Sequence, residues 1–306
     1  MTATRRVVVG SRSSPLALAQ TEEVVSRLRV VHPNAKFEIV PLSTIGDRNK
    51  TDPLLSMERG MFVKDIEAAL LSGEIDFAVH SAKDLPADLP AGLTIAAFTE
   101  RQDARDVIVD RWGLPFDDLP AGARLGTSSP RRVAQLKARR PDLEFIPIRG
   151  NVGTRMEKSG TDEYDGVVLA AAGILRLGRA SEISDYLPPE VCLPDVGQGA
   201  LAAETRADDD AVIGMLAAAE HTATSQAVRA ERAFLQAMGG GCTVPVAAYA
   251  IIEDVSLKIV AMASSLDGAD VIRIDGVYDK VDPEHAGREI AAKLLERGAR
   301  DILKNS

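Results

Sequence analysis

The sequence predicts an α/β fold: two lobes with mixed, mostly parallel sheets, followed by a small C-terminal α+β domain. Two observations carry this prediction. Apolar strand-like runs alternate with helical ones, a pattern that favours parallel strands joined through helices. In addition, two segments of the first half recur in the second with the same order of strand, turn and helix.

The first repeated segment is Val7-Val8-Val9-Gly10-Ser11-Arg12-Ser13-Ser14-Pro15, matched by Arg124-Leu125-Gly126-Thr127-Ser128-Ser129-Pro130. In both copies a serine precedes proline, the combination of N-cap and first helical residue that starts a helix. Leu16, Ala19, Val24 and Leu28 are expected to share one face of the first helix, with Val133 and Leu136 on the second. The other repeated segment is Glu74-Ile75-Asp76-Phe77-Ala78-Val79-His80-Ser81-Ala82-Lys83-Asp84-Leu85. It aligns with Glu163-Tyr164-Asp165-Gly166-Val167-Val168-Leu169-Ala170-Ala171-Ala172-Gly173-Ile174. Each is an acidic lead-in, a buried parallel-type strand and small residues opening a turn. The copies differ where chemistry would sit, with Lys83-Asp84 in one and Ala172-Gly173 in the other.

Residues 44–60 have no counterpart in the second half. This polar stretch before Met61-Phe62-Val63 reads as a lid loop. Gly197-Gln198-Gly199 marks a return of the chain to the first lobe. The expected division is therefore 1–99 with 197–220, then 100–196, then 221–306. The last part reads as helix Ser225–Met238, strands Val246–Ile252, Leu257–Ala263 and Val271–Val277, and helix Pro283–Arg297.

Composition limits the function classes. Of 306 residues, 45% are hydrophobic and 26% charged, as in an ordinary globular protein. No apolar run has the length of a membrane span. The N-terminus leads directly into a strand without the apolar core of a signal peptide, so a cytoplasmic location is expected. A net charge of −9 argues against a nucleic-acid surface. Locally the balance reverses: Arg131, Arg132, Lys137, Arg139, Arg140 and Arg149 face only Asp142 and Glu144 between Arg124 and Arg155. Such a basic stretch in an acidic chain suits a small anionic ligand. Lys137, Arg139 and Arg140 read as a solvated helix face. The other arginines sit beside Gly, Ser and Asn, where loops meet helices.

Ligands of α/β folds bind beyond the carboxyl ends of strands. That rule gathers Arg12, Ser14, Ser81–Asp84, Thr127–Arg132, Arg149-Gly150-Asn151 and Ala170–Arg176 around an expected cleft. The remaining outstanding feature is Gly239-Gly240-Gly241-Cys242-Thr243-Val244-Pro245, a thiol displayed after a helix and flanked by unhindered backbone. Cys192, the only other cysteine, reads as a buried small hydrophobe. A cysteine hydrolase would need a base near Cys242, and no Cys-His signature surrounds it. The cysteines and histidines also lack zinc spacing.

Taken together, these motifs resemble the porphobilinogen deaminase (hydroxymethylbilane synthase) family. The matching runs extend nearly from end to end: Gly10–Ala17, His80–Pro86, Gly126–Arg132, Arg149–Arg155, Ala172–Gly178, Pro194–Ala200 and Gly240–Cys242. The resemblance implies two lobes like those of bacterial solute-binding proteins, and a third domain carrying a dipyrromethane cofactor as a thioether on Cys242. By family position Ser81, Lys83, Asp84, Ser129, Arg131 and Arg132 hold that cofactor. Arg12, Ser14, Thr127, Ser128, Arg149, Gly150, Arg155, Gly173, Arg176 and Gln198 are implied to bind substrate. Four porphobilinogen molecules would be added head to tail with loss of ammonia, before hydrolysis frees hydroxymethylbilane.

Porphobilinogen carries acetate and propionate, and guanidinium groups match carboxylates in charge and geometry. Asp84 is the implied catalytic group: a carboxylate near pyrrole N–H groups stabilises the cation formed when ammonia leaves, and it can relay protons. The lid departs from the family's usual Gly-Gly-Lys-Gly-Leu-Phe type run, having Met57-Glu58-Arg59-Gly60-Met61-Phe62 instead. A monomer is expected. The alternative reading is a non-catalytic two-lobed protein that binds a small dicarboxylate.

Overall fold

A computed structural model describes residues 5–42, 63–239 and 245–304. The expected lid at 44–60 and Cys242 both lie outside the described residues.

The chain opens with β1 (Arg5–Arg12), α1 (Pro15–Val31), β2 (Ala35–Leu42), α2 (Lys64–Leu71), β3 (Phe77–Ser81) and β4 (Leu93–Phe98). Next come β5 (Asp106–Asp110), β6 (Arg124–Gly126), α3 (Pro130–Arg139), β7 (Glu144–Ile146) and α4 (Val152–Lys158). They are followed by β8 (Gly166–Ala170), α5 (Ala171–Arg176), β9 (Asp185–Leu187), β10 (Leu201–Arg206) and α6 (Asp210–Leu216). The last third holds α7 (Thr222–Ala237), β11 (Val246–Glu253), β12 (Ser256–Ser264), β13 (Val271–Asp279) and α8 (Pro283–Leu294). Two compact units result: Met1–Arg101 with Ala200–Ser225, and Gln102–Gly199 with Gln226–Ser306.

The first unit contains a five-stranded sheet ordered β2-β1-β3-β10-β4, and the second one ordered β7-β6-β8-β5-β9. In each, three parallel neighbours are followed by a reversed strand and then a strand restored to the first direction. The reversed strand is β10, a returning segment, in the first unit and β5, an entering segment, in the second. The repeat seen in the sequence holds residue by residue. Gly10 pairs with Ala78 as Gly126 pairs with Val167. The Val8 N–H donates to Asp76 Oδ2 (2.6 Å), and the Arg124 N–H donates to Asp165 Oδ2 (2.9 Å). The acidic lead-ins thus tie the head of one strand to its parallel neighbour in both copies.

The sheets are buried on both faces, which explains their continuous apolar runs. In the second unit Val107, Val109, Val167 and Leu169 join one cluster, while Ile108, Leu125 and Val168 join the opposite one. In the first, Val7, Val9, Phe77 and Val79 pack under α1 with Val24, Val25 and Leu28. Burying each such side chain contributes about 1.5–3 kcal/mol.

The buried face of α1 differs from the expected one. Ala17, Gln20, Thr21, Val24, Val25 and Leu28 are buried, whereas Leu16 and Ala19 are not. Thr21 turns the helix this way: its hydroxyl donates to Ser11 Oγ (2.8 Å) in the core. On α3, Leu136 is buried as expected, but Arg131, Arg132 and Gln135 are buried with it and Val133 is only half-buried.

The C-terminal part has an antiparallel sheet ordered β11-β12-β13, with α8 packed on β12 and β13. Gly287 lets α8 approach α7 closely, since a Cβ there would meet the Ala230 carbonyl and lie 2.8 Å from Phe234 N. Beyond the last turn of α7, Gly239 has φ 90°, the left-handed conformation in which glycine ends helices. This stop precedes the run containing Cys242.

Candidate active site

In the first unit the predicted donors cluster at the carboxyl ends of two paired strands. Arg12 is the last residue of β1, and Ser14 caps α1 by accepting the Ala17 N–H (3.3 Å). Neighbouring β3 ends at Ser81 and runs into a 3₁₀ turn, Ala82–Asp84. The Ala82 N–H donates to the Ala200 carbonyl (3.0 Å), fixing the turn to the chain entering β10. Ala82 and Leu85, each 1% exposed, anchor the turn in the core. Lys83 and Asp84 between them remain partly exposed.

The second unit repeats the frame with different chemistry. Thr127 follows β6 and is buried. Ser128 Oγ donates to the Ile148 carbonyl (2.8 Å) and accepts the Ile148 N–H (2.9 Å), fixing the chain just before Arg149. Ser129 caps α3. Gly150 has φ 119°, and Arg155 Nε donates to its carbonyl (2.7 Å). Gly173 lies buried in α5, and Arg176 Nη2 donates to the Gly199 carbonyl (3.0 Å). The position equivalent to Asp84 therefore carries no side chain.

Arg131, Arg132 and Gln198 meet at Asp106, the fully buried first residue of β5. Arg131 Nη1 lies 2.7 Å from Asp106 Oδ2 and donates to the Leu193 carbonyl (2.5 Å). Arg132 donates through Nε (3.1 Å) and Nη2 (2.7 Å) to Asp106 Oδ1. Gln198 Nε2 also donates to that oxygen (2.9 Å), and Cys192 Sγ donates to Oδ2 (3.3 Å). Burial alone would raise the Asp106 pKa, but the Arg131 and Arg132 charges and hydrogen bonds outweigh it and hold the carboxyl well below its usual range. The Cys192 thiol is pushed up to about 12, by burial first and then by the Asp106 charge.

The sequence placed Arg131 and Arg132 among loop-edge donors; the structure places both in the interior beside Asp106. Asp106 itself was not singled out. A lone acid heading the apolar run Val107-Ile108-Val109 is the signal that could have found it. Two guanidiniums share this one carboxylate, and the Asp195 charge also acts on Arg131. Arg131 Nε and Arg149 Nη2 are buried donors without a hydrogen-bond partner. Donors of this kind fit the carboxylates of a dipyrromethane.

These features define a duplicated α/β protein whose parallel strand ends bear guanidinium and hydroxyl side chains, with one unit adding a lysine and a carboxylate. Two family models match the chain. Residues 7–214 match the dipyrromethane cofactor-binding domain of porphobilinogen deaminase, and residues 225–296 match its C-terminal domain. The chain belongs to the porphobilinogen deaminase family. It is 49% identical over 303 residues to a porphobilinogen deaminase of Geobacillus kaustophilus, covering 98% of this chain and 97% of that protein. It is 45% identical over 304 residues to a porphobilinogen deaminase of Deinococcus radiodurans, covering 98% of each. Among solved structures, a YaeC-family lipoprotein of Enterococcus faecalis aligns at TM-score 0.42 and 14% identity, over 70% of this chain and 90% of that one. No described helix is long and apolar enough to cross a membrane.

Proposed function

We propose that this chain condenses four porphobilinogen molecules head to tail on a covalent dipyrromethane, releasing ammonia at each addition and then hydroxymethylbilane by hydrolysis. The observation that carries the reading is the asymmetry of the repeat. Two matched strand ends offer donors for carboxylates, and only the first unit adds the partly exposed Lys83-Asp84 pair.

The dipyrromethane, held as a thioether on Cys242, supplies the nucleophilic pyrrole carbon. Arg131 and Arg132 hold carboxylates, aided by Ser81, Lys83 and Ser129. Arg12, Ser14, Thr127, Ser128, Arg149, Gly150, Arg155, Gly173, Arg176 and Gln198 orient substrate. Asp84 faces the substrate pyrrole N–H, where its charge favours the cation left by departing ammonia. As the acid, Asp84 would pass a proton to the leaving amine; as the carboxylate thus formed, it would take the proton that the attacking pyrrole carbon loses when the new bond forms. Because Ala82 and Leu85 fix the turn, Asp84 reaches this position without reorganising. The buried free thiol of Cys192 suits a reducing cytoplasm, and the chain acts there as a monomer. A non-catalytic dicarboxylate binder would have no use for Asp84 or for the cysteine run.

Intact-mass measurement tests the assignment. The purified protein should exceed its sequence mass by one dipyrromethane, and Cys242→Ser should lose that increment. Asp84→Asn should keep it while consuming porphobilinogen at least about a hundredfold more slowly. An active protein of unmodified mass, or a loaded Asp84→Asn with parental turnover, would refute the assignment.

A further inference from the structure

Apart from the donors already assigned, the first unit buries three ionisable side chains in one place. Glu67 lies on α2, His80 on β3 next to its last residue, and Glu204 on β10. They are 6%, 4% and 0% exposed. The register sets His80 opposite Ala202, so Glu204, two residues further, shares its face of the sheet. His80 Nε2 stands 3.0 Å from Glu204 Oε2. Glu67 Oε1, both Glu204 oxygens and His80 Nε2 otherwise lack a hydrogen-bond partner. On this side of the sheet α2 packs through the apolar cluster of Ile66, Ala69, Leu70, Ile75, Ala78 and Leu93.

Two carboxylates and an imidazole in such surroundings reach neutrality only with two protons among them, which leaves at least one carboxyl protonated. Glu67 is the member suited to hold that proton. Burial first, and the Glu204 charge second, raise its pKa above the ordinary carboxylate range, opposed by His80 and Lys64. The elements packed against α2 supply little other charge. β4 has no ionisable residue, and the arginines of β1 (Arg5, Arg6 and Arg12) stand at its two ends. Arg206 of β10 is tied to the Leu70 and Ile75 carbonyls (2.9 and 2.8 Å) and to Asp209 (2.8 Å).

We propose that Glu67, His80 and Glu204 form a proton-sharing clamp that sets the Ser81–Asp84 turn, making them positioning residues for the Asp84 carboxylate. The inference rests on the role given to Asp84 above. The mechanical link is short. His80 precedes Ser81, Ser81 pairs with Leu201 at the head of β10, and the Ala82 N–H bonds the Ala200 carbonyl. Ionising Glu67 sets two like charges against each other in the core. Their separation displaces α2 or β10, and β10 buttresses the turn. The sign follows from linkage. A carboxyl whose folded pKa is raised binds more protons folded than unfolded, so stability falls as pH rises from the ordinary Glu value through the raised one.

Infrared spectroscopy of the cofactor-loaded protein reads the clamp without turnover. A protonated-carboxyl C=O band should titrate away above the ordinary Glu range and be missing from Glu67→Gln. In turnover, Glu67→Gln should displace the corresponding limb of the kcat–pH profile with KM within about twofold of the parent. Glu204→Gln should lower kcat by on the order of ten- to a hundredfold at full cofactor loading. Absence of the band, or parental kcat–pH profiles in both loaded variants, would overturn the clamp. A loaded parent that shows the band yet leaves porphobilinogen unconsumed would overturn the reaction assignment, and the positioning role with it.

Discussion

Replacing Asp106 with asparagine removes the one carboxylate between two buried guanidiniums. Arg131 and Arg132 would then face each other with side chains 5% and 8% exposed, where Asp106 now lies 2.7 Å from each. Removing one partner from a buried ion pair costs about 3–5 kcal/mol. At ~2–4 °C per kcal/mol for a unit of this size, melting should fall by roughly 6–20 °C. An exposed pair gives the control: Arg139 and Asp117 also meet at 2.5 Å, with side chains 49% and 55% exposed, and Asp117→Asn should melt with the parent. Calorimetry or circular dichroism at neutral pH reads both variants. A depressed carboxyl stabilises the fold above its unfolded pKa and ceases to do so only as pH falls through its folded value. With Asp106 held so low, moderate acid should leave the difference between parent and variant intact. If Asp106→Asn melted within about 1 °C of the parent, the buried charge argument would fail.

The same network protects Cys192. With its thiol near 12 and no exposure, Cys192 should resist iodoacetamide at pH 8 and react only after unfolding, as peptide mass mapping would reveal; labelling of the native protein would contradict the burial. Gly287→Ala should destabilise by about 1–3 kcal/mol, because the added methyl meets the backbone of α7 at Ala230 and Phe234; an unchanged urea midpoint would show that α8 shifts freely.

Much of the fold was legible because the repeat is written in residues with fixed backbone roles. Ser14-Pro15 and Ser129-Pro130 start helices, and Asp76 and Asp165 tie equivalent strands, so alignment alone gave the β1–β3 and β6–β8 correspondence. The donors at strand ends were legible for the same reason. The interior charges were not. Arg131, Arg132 and Gln135 stand on one helix with Lys137 and Arg139, and periodicity cannot say which polar face turns inward. Their partner Asp106 is distant in sequence, and its burial is a tertiary fact. Glu67 was not singled out either: it stands in the first turn of α2, where acids are common, yet it faces the core.

The order in which the chain is made gives the reversed strand of the first sheet a further meaning. β10 sits between β3 and β4, yet it is encoded after all of β5–β9. At about 5–20 residues per second, the stretch from Phe98 to Leu201 takes on the order of ten seconds to emerge from a ribosome. Throughout that time β3 offers an open edge, and His80 lacks the strand that carries Glu204. The first unit, begun earliest, is completed only after the five strands of the second sheet have been synthesised. A nascent chain stalled before Leu201 should therefore leave the β3 edge exposed, a ready substrate for chaperones and proteases.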